Sequence, residues 1–386
     1  MNRICRNAVV WIMMFCLVLP AALASAAVIE TGVASIQKYG NIELEIAGTE
    51  FLAQGYAYGD VISANICGVE YDMPVCSNYS DVNEGSTVCR VVIDETTGTD
   101  CVVLAINMRD LATKAGLAVK TATDAEPGYR WDYLEGASRQ IVISMREKEG
   151  YLSEYNLRSL VRSNERGDYA HLTDAQFANF REVRTSGVRP GMLYRSSSPI
   201  NPQLGRNAYA DAAARKAGVR TIINLADSKG GMQAYSGWGE SYYSGCNVIG
   251  LNLGSDFTSP DFQSGLAEGL RFMAANEGPY LVHCTEGKDR AGFVSALLEC
   301  LMGAGAEEVA ADYMVTYFNY YGVEPGSERY VAIVQANIEK SLARAYEIED
   351  IYAEGVDLAA EAREYMNVRL GLTENEIQDL WEKLSA

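Results

Sequence analysis

The sequence predicts two domains: a small β-barrel or β-sandwich, followed by an α/β domain whose central, mainly parallel sheet is flanked by helices. Three observations carry this. The chain has 386 residues, more than one ordinary domain needs. Between Val28 and Ile143, short apolar runs are separated by Gly, Asn and Asp, the texture of strands joined by turns. From Asn179 onward, buried-type strands alternate with amphipathic or apolar helices, as in a helix-covered parallel sheet. The boundaries read as a β-rich domain over 28–145, a connector over 146–178 and an α/β domain over 179–386. Apolar residues at 48% and charged residues at 22% suit a folded chain rather than a disordered one. A formal charge of −19 repels phosphate backbones and anionic lipids, so nucleic acid is not an expected partner.

The first element is a leader. Arg3 and Arg6 precede an apolar run from Ala8 to about Ala22, which ends in Ala24-Ser25-Ala26-Ala27. A positive start, an apolar stretch and a small-residue cleavage site make a signal peptide over 1–26 and predict export, to a secreted or cell-surface location. Membrane contact beyond that peptide is not expected. Seven cysteines follow it. Cys67, Cys76, Cys89 and Cys101 fall in one short stretch, and in an oxidising compartment they predict one or two disulfides, with three pairings open. Cys246, Cys284 and Cys300 form an odd set, which leaves room for a thiol kept for chemistry.

In the β-rich part, Ile42 to Ile46 and Arg90 to Ile93 read as strands, and Asp110 to Leu117 as one short helix. Several of its turns resemble the C-terminal β-domain of S-adenosylmethionine hydroxide adenosyltransferases: Lys38-Tyr39-Gly40-Asn41, Gly59-Asp60-Val61, Tyr79 to Gly85 and Ala105-Ile106-Asn107. That resemblance implies the fold and not the activity, since the partner domain supplying most of that family's catalytic groups has no counterpart here. The polar connector carries Tyr-rich helical patches. In the α/β part, strands are predicted at Met192–Arg195, Val219–Leu225, Asn247–Leu253 and Tyr280–His283. Helices are predicted at Ala208–Ala217, Phe262–Ala275, Phe293–Met302 and Gly305–Tyr321, and at a C-terminal segment opened by the capping box Thr373/Glu376.

The chemistry concentrates in His283-Cys284-Thr285-Glu286-Gly287-Lys288-Asp289-Arg290. Cys284 follows an apolar strand directly and precedes a helix. Such a loop gathers free backbone N–H groups and the positive end of a helix dipole, a setting that holds anions and favours a thiolate over a thiol. Gly287 allows a tight turn. Arg290, six residues after the cysteine, has a planar fork that matches two oxygens of a phosphoryl group. Of the cysteines, Cys284 alone has an arginine at that spacing.

This segment is similar to the signature loop of cysteine-dependent protein tyrosine phosphatases, and its Gly287-Lys288-Asp289-Arg290 core to the bacterial secreted tyrosine/serine phosphatase subgroup. Asn179-Phe180-Arg181-Glu182, Leu193-Tyr194-Arg195-Ser196, Asp312-Tyr313-Met314 and Leu370-Gly371-Leu372-Thr373 also resemble motifs of that subgroup. The resemblance implies that 179–386 is a phosphatase domain of an exported enzyme, hydrolysing phosphate monoesters through a phosphocysteine without a cofactor. Phosphotyrosine heads the substrates, with phosphoserine, phosphothreonine and phosphoinositides open, carried on a protein or on a small ester. By resemblance Cys284 is the nucleophile and Arg290 binds the phosphate. His283 orients the loop and helps keep the thiol ionised. Thr285, Glu286, Gly287 and Lys288 line the binding loop. Asp289 is the favoured general acid and Asp256 the second candidate, with Asp261 and Asp227 further back. Two departures stand out. Ala291 replaces the usual Ser or Thr, which predicts slow hydrolysis of the intermediate and burst kinetics. Glu286 places a carboxylate where relatives have Ala, opposing polyanionic substrates, while Lys288 favours them. The alternative reading is a catalytically weak or silent protein that only recognises phosphate. With His171 and His283 as its two histidines, the chain predicts no zinc site.

Overall fold

Nine strands form the N-terminal domain of the computed structural model, which describes residues 26–385 apart from 96 and 124–126. The expected signal peptide lies outside the described residues except for Ala26. The strands are β1 (Ile29–Ile36), β2 (Ile42–Leu44), β3 (Val61–Ile66), β4 (Val69–Cys76), β5 (Thr87–Asp94), β6 (Thr99–Ile106), β7 (Ala118–Ala122), β8 (Tyr129–Tyr133) and β9 (Gln140–Glu147). Seven of them close in the order β1-β2-β6-β5-β4-β3-β9, so the domain is a barrel and not a sandwich. Closure follows from β1, which pairs with β2 at one end (Ile36 opposite Ile42) and with β9 at the other (Ile29 opposite Ile143). Alternate residues such as Ile62, Met73, Val75, Val91, Val102, Leu104, Ile141 and Ile143 point inward and are fully or almost fully buried. β7 and β8 form a separate two-stranded arm. The helix predicted at Asp110–Leu117 is shorter, Leu111–Lys114, with Asp110 accepting from the Thr113 N–H at 2.9 Å.

The expected disulfides do not form. Cys67, Cys76, Cys89 and Cys101 are free thiols. Strand register is the physical reason: Cys89 lies opposite Val75 and Leu104, Cys76 opposite Arg90, and Cys101 opposite Val92. Cys76 and Cys89 are core residues, and burial pushes both thiols well above the ordinary range.

The second domain carries a five-stranded sheet: β10 (Arg181–Glu182), β11 (Leu193–Ser196), β12 (Thr221–Asn224), β13 (Asn247–Gly250) and β14 (Tyr280–His283), in the order β10-β11-β14-β12-β13. β10 runs antiparallel to β11, and all other pairs are parallel. The central strand β14 is buried at every residue, as its unbroken Tyr-Leu-Val-His run requires. Ser196, His283 and Asn224 end neighbouring strands in register, so their loops share one edge of the sheet. The helix after β14 spans Asp289–Leu301 and is buried from Ala291 to Leu301. It starts four residues before the predicted Phe293, which moves Asp289 and Arg290 from the loop into the first helical turn. Helices Leu358–Glu364 and Ala306–Tyr321 pack against it, Phe262 of helix Pro260–Ala275 meets its Phe293, and helix Glu374–Leu384, with the Thr373/Glu376 capping box in place, packs on Pro260–Ala275. Among the described residues no helix is long and apolar enough to cross a membrane.

Among the described residues, two polar contacts between the domains stand out. The tip of the β1–β2 hairpin reaches the loop after β13, with Lys38 donating to the Asn252 side chain and Tyr39 to the Leu253 carbonyl at 3.3 Å. On the other side, the buried Glu84 carboxylate pairs with Arg344 and accepts from Ser341. Between them lies a crevice of about 1640 Å³, bordered by Tyr39 of the barrel, Lys120 and Trp131 of the β7–β8 arm, Arg162 of the connector, and Lys288 and Asp289 after β14.

Candidate active site

A loop can bind an anion when its N–H groups face inward, which requires its carbonyls to be held outward. The residues around 284–290 do this. Asn179 donates to the carbonyls of Glu286 (3.2 Å) and Gly287 (3.4 Å), and Tyr320 donates to that of Glu286 at 2.9 Å. The guanidinium of Arg195, wholly buried, donates to the carbonyls of Gly287 (3.0 Å) and Lys288 (3.3 Å). Ser198 N–H takes the Thr285 carbonyl at 3.1 Å. Asp312 holds two arginines at once: Arg195 at 2.7 Å and Arg181 at 2.9 Å. Arg181 in turn donates to Asn179 Oδ1 at 2.9 Å. Burial alone would raise the Asp312 pKa, but the two guanidiniums hold it below the ordinary value. Asn179 sits at φ 52°, a left-handed conformation that Asn tolerates better than most residues. Segments far apart in sequence thus converge on the backbone of one loop.

Gly287 has φ 71°, and a Cβ there would lie 2.2 Å from the Ser196 carbonyl oxygen. No side chain fits, because the loop packs backbone to backbone on the end of β11. Cys284, at the end of β14, is 3% exposed. Arg290 lies in the first turn of helix Asp289–Leu301 and folds back across the loop. Its Nη1 donates to the Leu253 carbonyl at 3.0 Å and lies 3.5 Å from the Tyr39 hydroxyl, while Nη2 donates to Thr285 Oγ1 at 3.3 Å. Burial opposes its charge, yet attraction to Cys284, Tyr39 and Asp289 leaves its pKa above the ordinary value. Thiol and guanidinium are brought together.

The wall of the loop is a charge cluster. Glu286 accepts from Arg162 at 2.6 Å and lies 3.3 Å from Lys288 Nζ, which also faces Asp289 at 4.0 Å. Burial would push the Glu286 carboxyl up, but Lys288 and Arg162 hold it at about 2. Glu286 therefore stays ionised and paired rather than opposing a substrate as a free carboxylate. Burial likewise opposes the charge of Lys288, and Asp289 and Glu286 restore it and carry its pKa well above the ordinary value. Asp289 differs: burial raises its carboxyl pKa, Lys288 pulls it down and Glu286 pushes it up, with a net rise.

The other carboxylates are occupied. Asp256 forms an ion pair with Arg344 at 2.6 Å and accepts from the Thr258 hydroxyl at 2.9 Å, so both neighbours engage its Oδ1. Asp227 accepts from Asn224 and from the Tyr235 hydroxyl, both at 3.1 Å. Asp261 sits in the first turn of helix Pro260–Ala275. His283 is fully buried, with Nε2 2.9 Å from the Tyr243 hydroxyl and Nδ1 3.3 Å from the Cys284 carbonyl. Burial pushes its pKa down to about 4, so it is neutral at pH 7 and acts on the loop by hydrogen bonding rather than by charge. This revises the expectation that His283 helps ionise the thiol.

Residues 251–386 match the model of the tyrosine phosphatase family. The matched region holds Cys284, Asp289, Arg290 and Asp312, and supports a phosphoric monoester hydrolase of tyrosine phosphatase type. Asn179, Arg181, Arg195 and every barrel residue lie outside it. No curated protein matches the chain. Among solved structures, P. aeruginosa TpbA in complex with pTyr is similar at 17% identity and TM-score 0.31, over 51% of this chain and 94% of that one. The catalytic domain of the PP-IP phosphatase SIW14 from S. cerevisiae is similar at 18% identity and TM-score 0.26, over 44% and 91%. An uncharacterised conserved protein from Thermotoga maritima is similar at 17% identity and TM-score 0.23, and the match spans 30% of this chain and 36% of that protein.

Arg162, Tyr320 and Tyr39 were not singled out from the sequence as site residues. Arg162 lies in the polar connector, and Tyr320 is one of four tyrosines on a single helix (Tyr313, Tyr317, Tyr320, Tyr321), where a repeated aromatic reads as core packing. Tyr39 stands in a turn motif that carried only a fold resemblance. Nothing local marks any of the three as a neighbour of Cys284.

Proposed function

We propose that the protein is an exported phosphatase that cleaves phosphate monoesters through a phosphocysteine. The observation that supports this best is the loop from Cys284 to Arg290, whose carbonyls are tied outward by Asn179, Arg195 and Tyr320 while Arg290 folds back over it. In this reading the inward N–H groups and the Arg290 fork bind the phosphoryl oxygens, and Cys284 Sγ attacks phosphorus in line with the leaving oxygen. The S–P bond forms as the P–O bond breaks, and the protonated Asp289 carboxyl gives its proton to the departing alkoxide or phenoxide. Water then attacks phosphorus, Asp289 takes back a proton, and inorganic phosphate and the thiolate are released.

Phosphotyrosine is the first substrate class, with phosphoserine, phosphothreonine and phosphoinositides to be compared with it. Ala291 is wholly buried and offers no hydroxyl to the departing thiolate, which favours slow breakdown of the intermediate. The test is hydrolysis of p-nitrophenyl phosphate by wild type and by Cys284→Ser. Wild type should show a burst close to one equivalent followed by slower turnover, and the serine variant no turnover. Wild type that is inactive from pH 4 to 9 but binds phosphate would favour a silent phosphate-recognising protein instead.

A further inference from the structure

The tip of the β1–β2 hairpin brings the Tyr39 hydroxyl to Arg290. Tyr39 sits at the tip of the β1–β2 hairpin, and the turn is closed by Gln37 N–H to the Asn41 carbonyl at 2.8 Å and Gly40 N–H to the Gln37 carbonyl at 2.9 Å. Gly40 has φ 83°, and a Cβ there would lie 2.0 Å from Asp110 Oδ1, so the turn needs glycine both for its conformation and for its fit. Other barrel groups brace the tip: Trp131 Nε1 donates to the Gln37 carbonyl at 3.2 Å and Lys120 Nζ to the Lys38 carbonyl at 2.9 Å. On the phosphatase side, Lys38 donates to Asn252, which is itself held at φ 51°. The Tyr39 ring lies beside Gly254, at a distance (3.6 Å from a Cβ built there) that is ordinary van der Waals contact. The hairpin is thus a stiff arm set on the loop after β13.

At the end of this arm the Tyr39 hydroxyl meets two partners. It donates to the Leu253 carbonyl at 3.3 Å and stands 3.5 Å from Arg290 Nη1, which shares the same carbonyl at 3.0 Å. A closed triangle of hydroxyl, carbonyl and guanidinium results. It engages the guanidinium nitrogen that also reaches the Leu225 carbonyl at 3.4 Å, while Nη2 turns toward Thr285 in the loop. A planar fork works bidentately only when its plane is fixed, and a misplacement of about 1 Å can cost roughly 100-fold in rate.

Building on the phosphatase reading above, we propose that Tyr39 is a positioning residue of the active site: the barrel fixes the plane of Arg290 through the Tyr39 hydroxyl, so that phosphate binding depends on a domain lying outside the catalytic fold. The arrangement gives the barrel a role in the chemistry, and it makes activity sensitive to anything that lifts the hairpin from the Asn252–Gly254 segment.

Tyr39→Phe removes the hydroxyl and keeps the ring against Gly254. The full-length variant should retain the wild-type melting temperature within about 2 °C, lose roughly 10-fold in kcat on p-nitrophenyl phosphate with KM changed less than twofold, and bind tungstate roughly 10-fold more weakly by calorimetry. In an Arg290→Ala background the same substitution should change tungstate affinity by less than twofold, because its effect runs through the guanidinium. Unchanged kcat and tungstate affinity in Tyr39→Phe would overturn the proposal while leaving the phosphatase reading intact. A faster variant would overturn it too, since Tyr39 would then be a plug and not a brace. A wild type that neither turns over the ester nor binds tungstate would remove both readings.

Discussion

At the scale of single residues, Asp289 and Glu286 show how two carboxylates in one loop acquire different states. Glu286 has two cations within 3.3 Å and stays ionised; Asp289 has one at 4.0 Å and shares it with Glu286. Burial therefore wins at Asp289 and loses at Glu286. The carboxyl with fewer partners is the one whose pKa is raised, which is why Asp289 is the proposed proton donor to a leaving group. For Asp289→Asn the expected loss in kcat is ~100-fold on an alkyl phosphate and much smaller on p-nitrophenyl phosphate, whose phenoxide leaves without a proton. The pH dependence has a definite sign. A raised pKa keeps Asp289 protonated to higher pH than an ordinary aspartate, so the wild-type rate on the alkyl ester should fall as pH rises through that pKa, and the asparagine variant should lack that limb. A limb that persists in Asp289→Asn would assign the acid role elsewhere.

At the scale of elements, the loop takes its shape from its surroundings rather than from its own sequence. β10, β11 and helix Ala306–Tyr321 each contribute one charged residue (Arg181, Arg195 and Asp312), and the loop carbonyls hang from this framework. Taking charged groups out of water costs several kcal/mol each, so removing one partner of such a set is worse than never having built it. Asp312→Asn leaves two buried guanidiniums against one neutral amide and should cost ~3–5 kcal/mol of stability, read from urea denaturation. A loss below ~1 kcal/mol would mean that the framework relaxes and that the loop does not depend on it. Helix Asp289–Leu301 adds a second constraint, since it is buried at every residue from Ala291 to Leu301.

At the scale of the molecule, two contacts of different chemistry join barrel to phosphatase domain. One is the Tyr39 hairpin. The other is the chain Glu84–Arg344–Asp256, in which a barrel carboxylate with a side chain 2% exposed holds an arginine that in turn holds the loop ahead of helix Pro260–Ala275. Cutting it should loosen the domains without unfolding either. Glu84→Gln is expected to reduce stability by ~2–4 kcal/mol, because Arg344 loses a buried counter-ion. The single denaturation transition expected of the wild type should separate into two, one per domain, when followed by intrinsic fluorescence at several wavelengths. A variant that still unfolds in one step with an unchanged midpoint would show that Glu84 does not couple the domains.

Much of this was legible in the residues themselves, for identifiable reasons. Strand β14 announced itself as an unbroken apolar run, and Arg290 drew attention by standing six residues after Cys284. Gly287 was readable as a turn, because only glycine combines a positive φ with close backbone approach. The barrel was readable only as strands and turns, since closure depends on β1 finding β9 more than a hundred residues away. The same distance hid the rest. Register set Cys76, Cys89 and Cys101 opposite other residues, a partner in the connector paired with Glu286, an arginine from a late helix occupied Asp256, and burial made His283 neutral. Sequence alone marked the groups proposed to carry the chemistry, because those lie within one loop and its flanking strand and helix. Tertiary structure decided their charge states and their neighbours, Tyr39 included, because burial and electrostatic pairing are set by residues that are distant along the chain and adjacent in space.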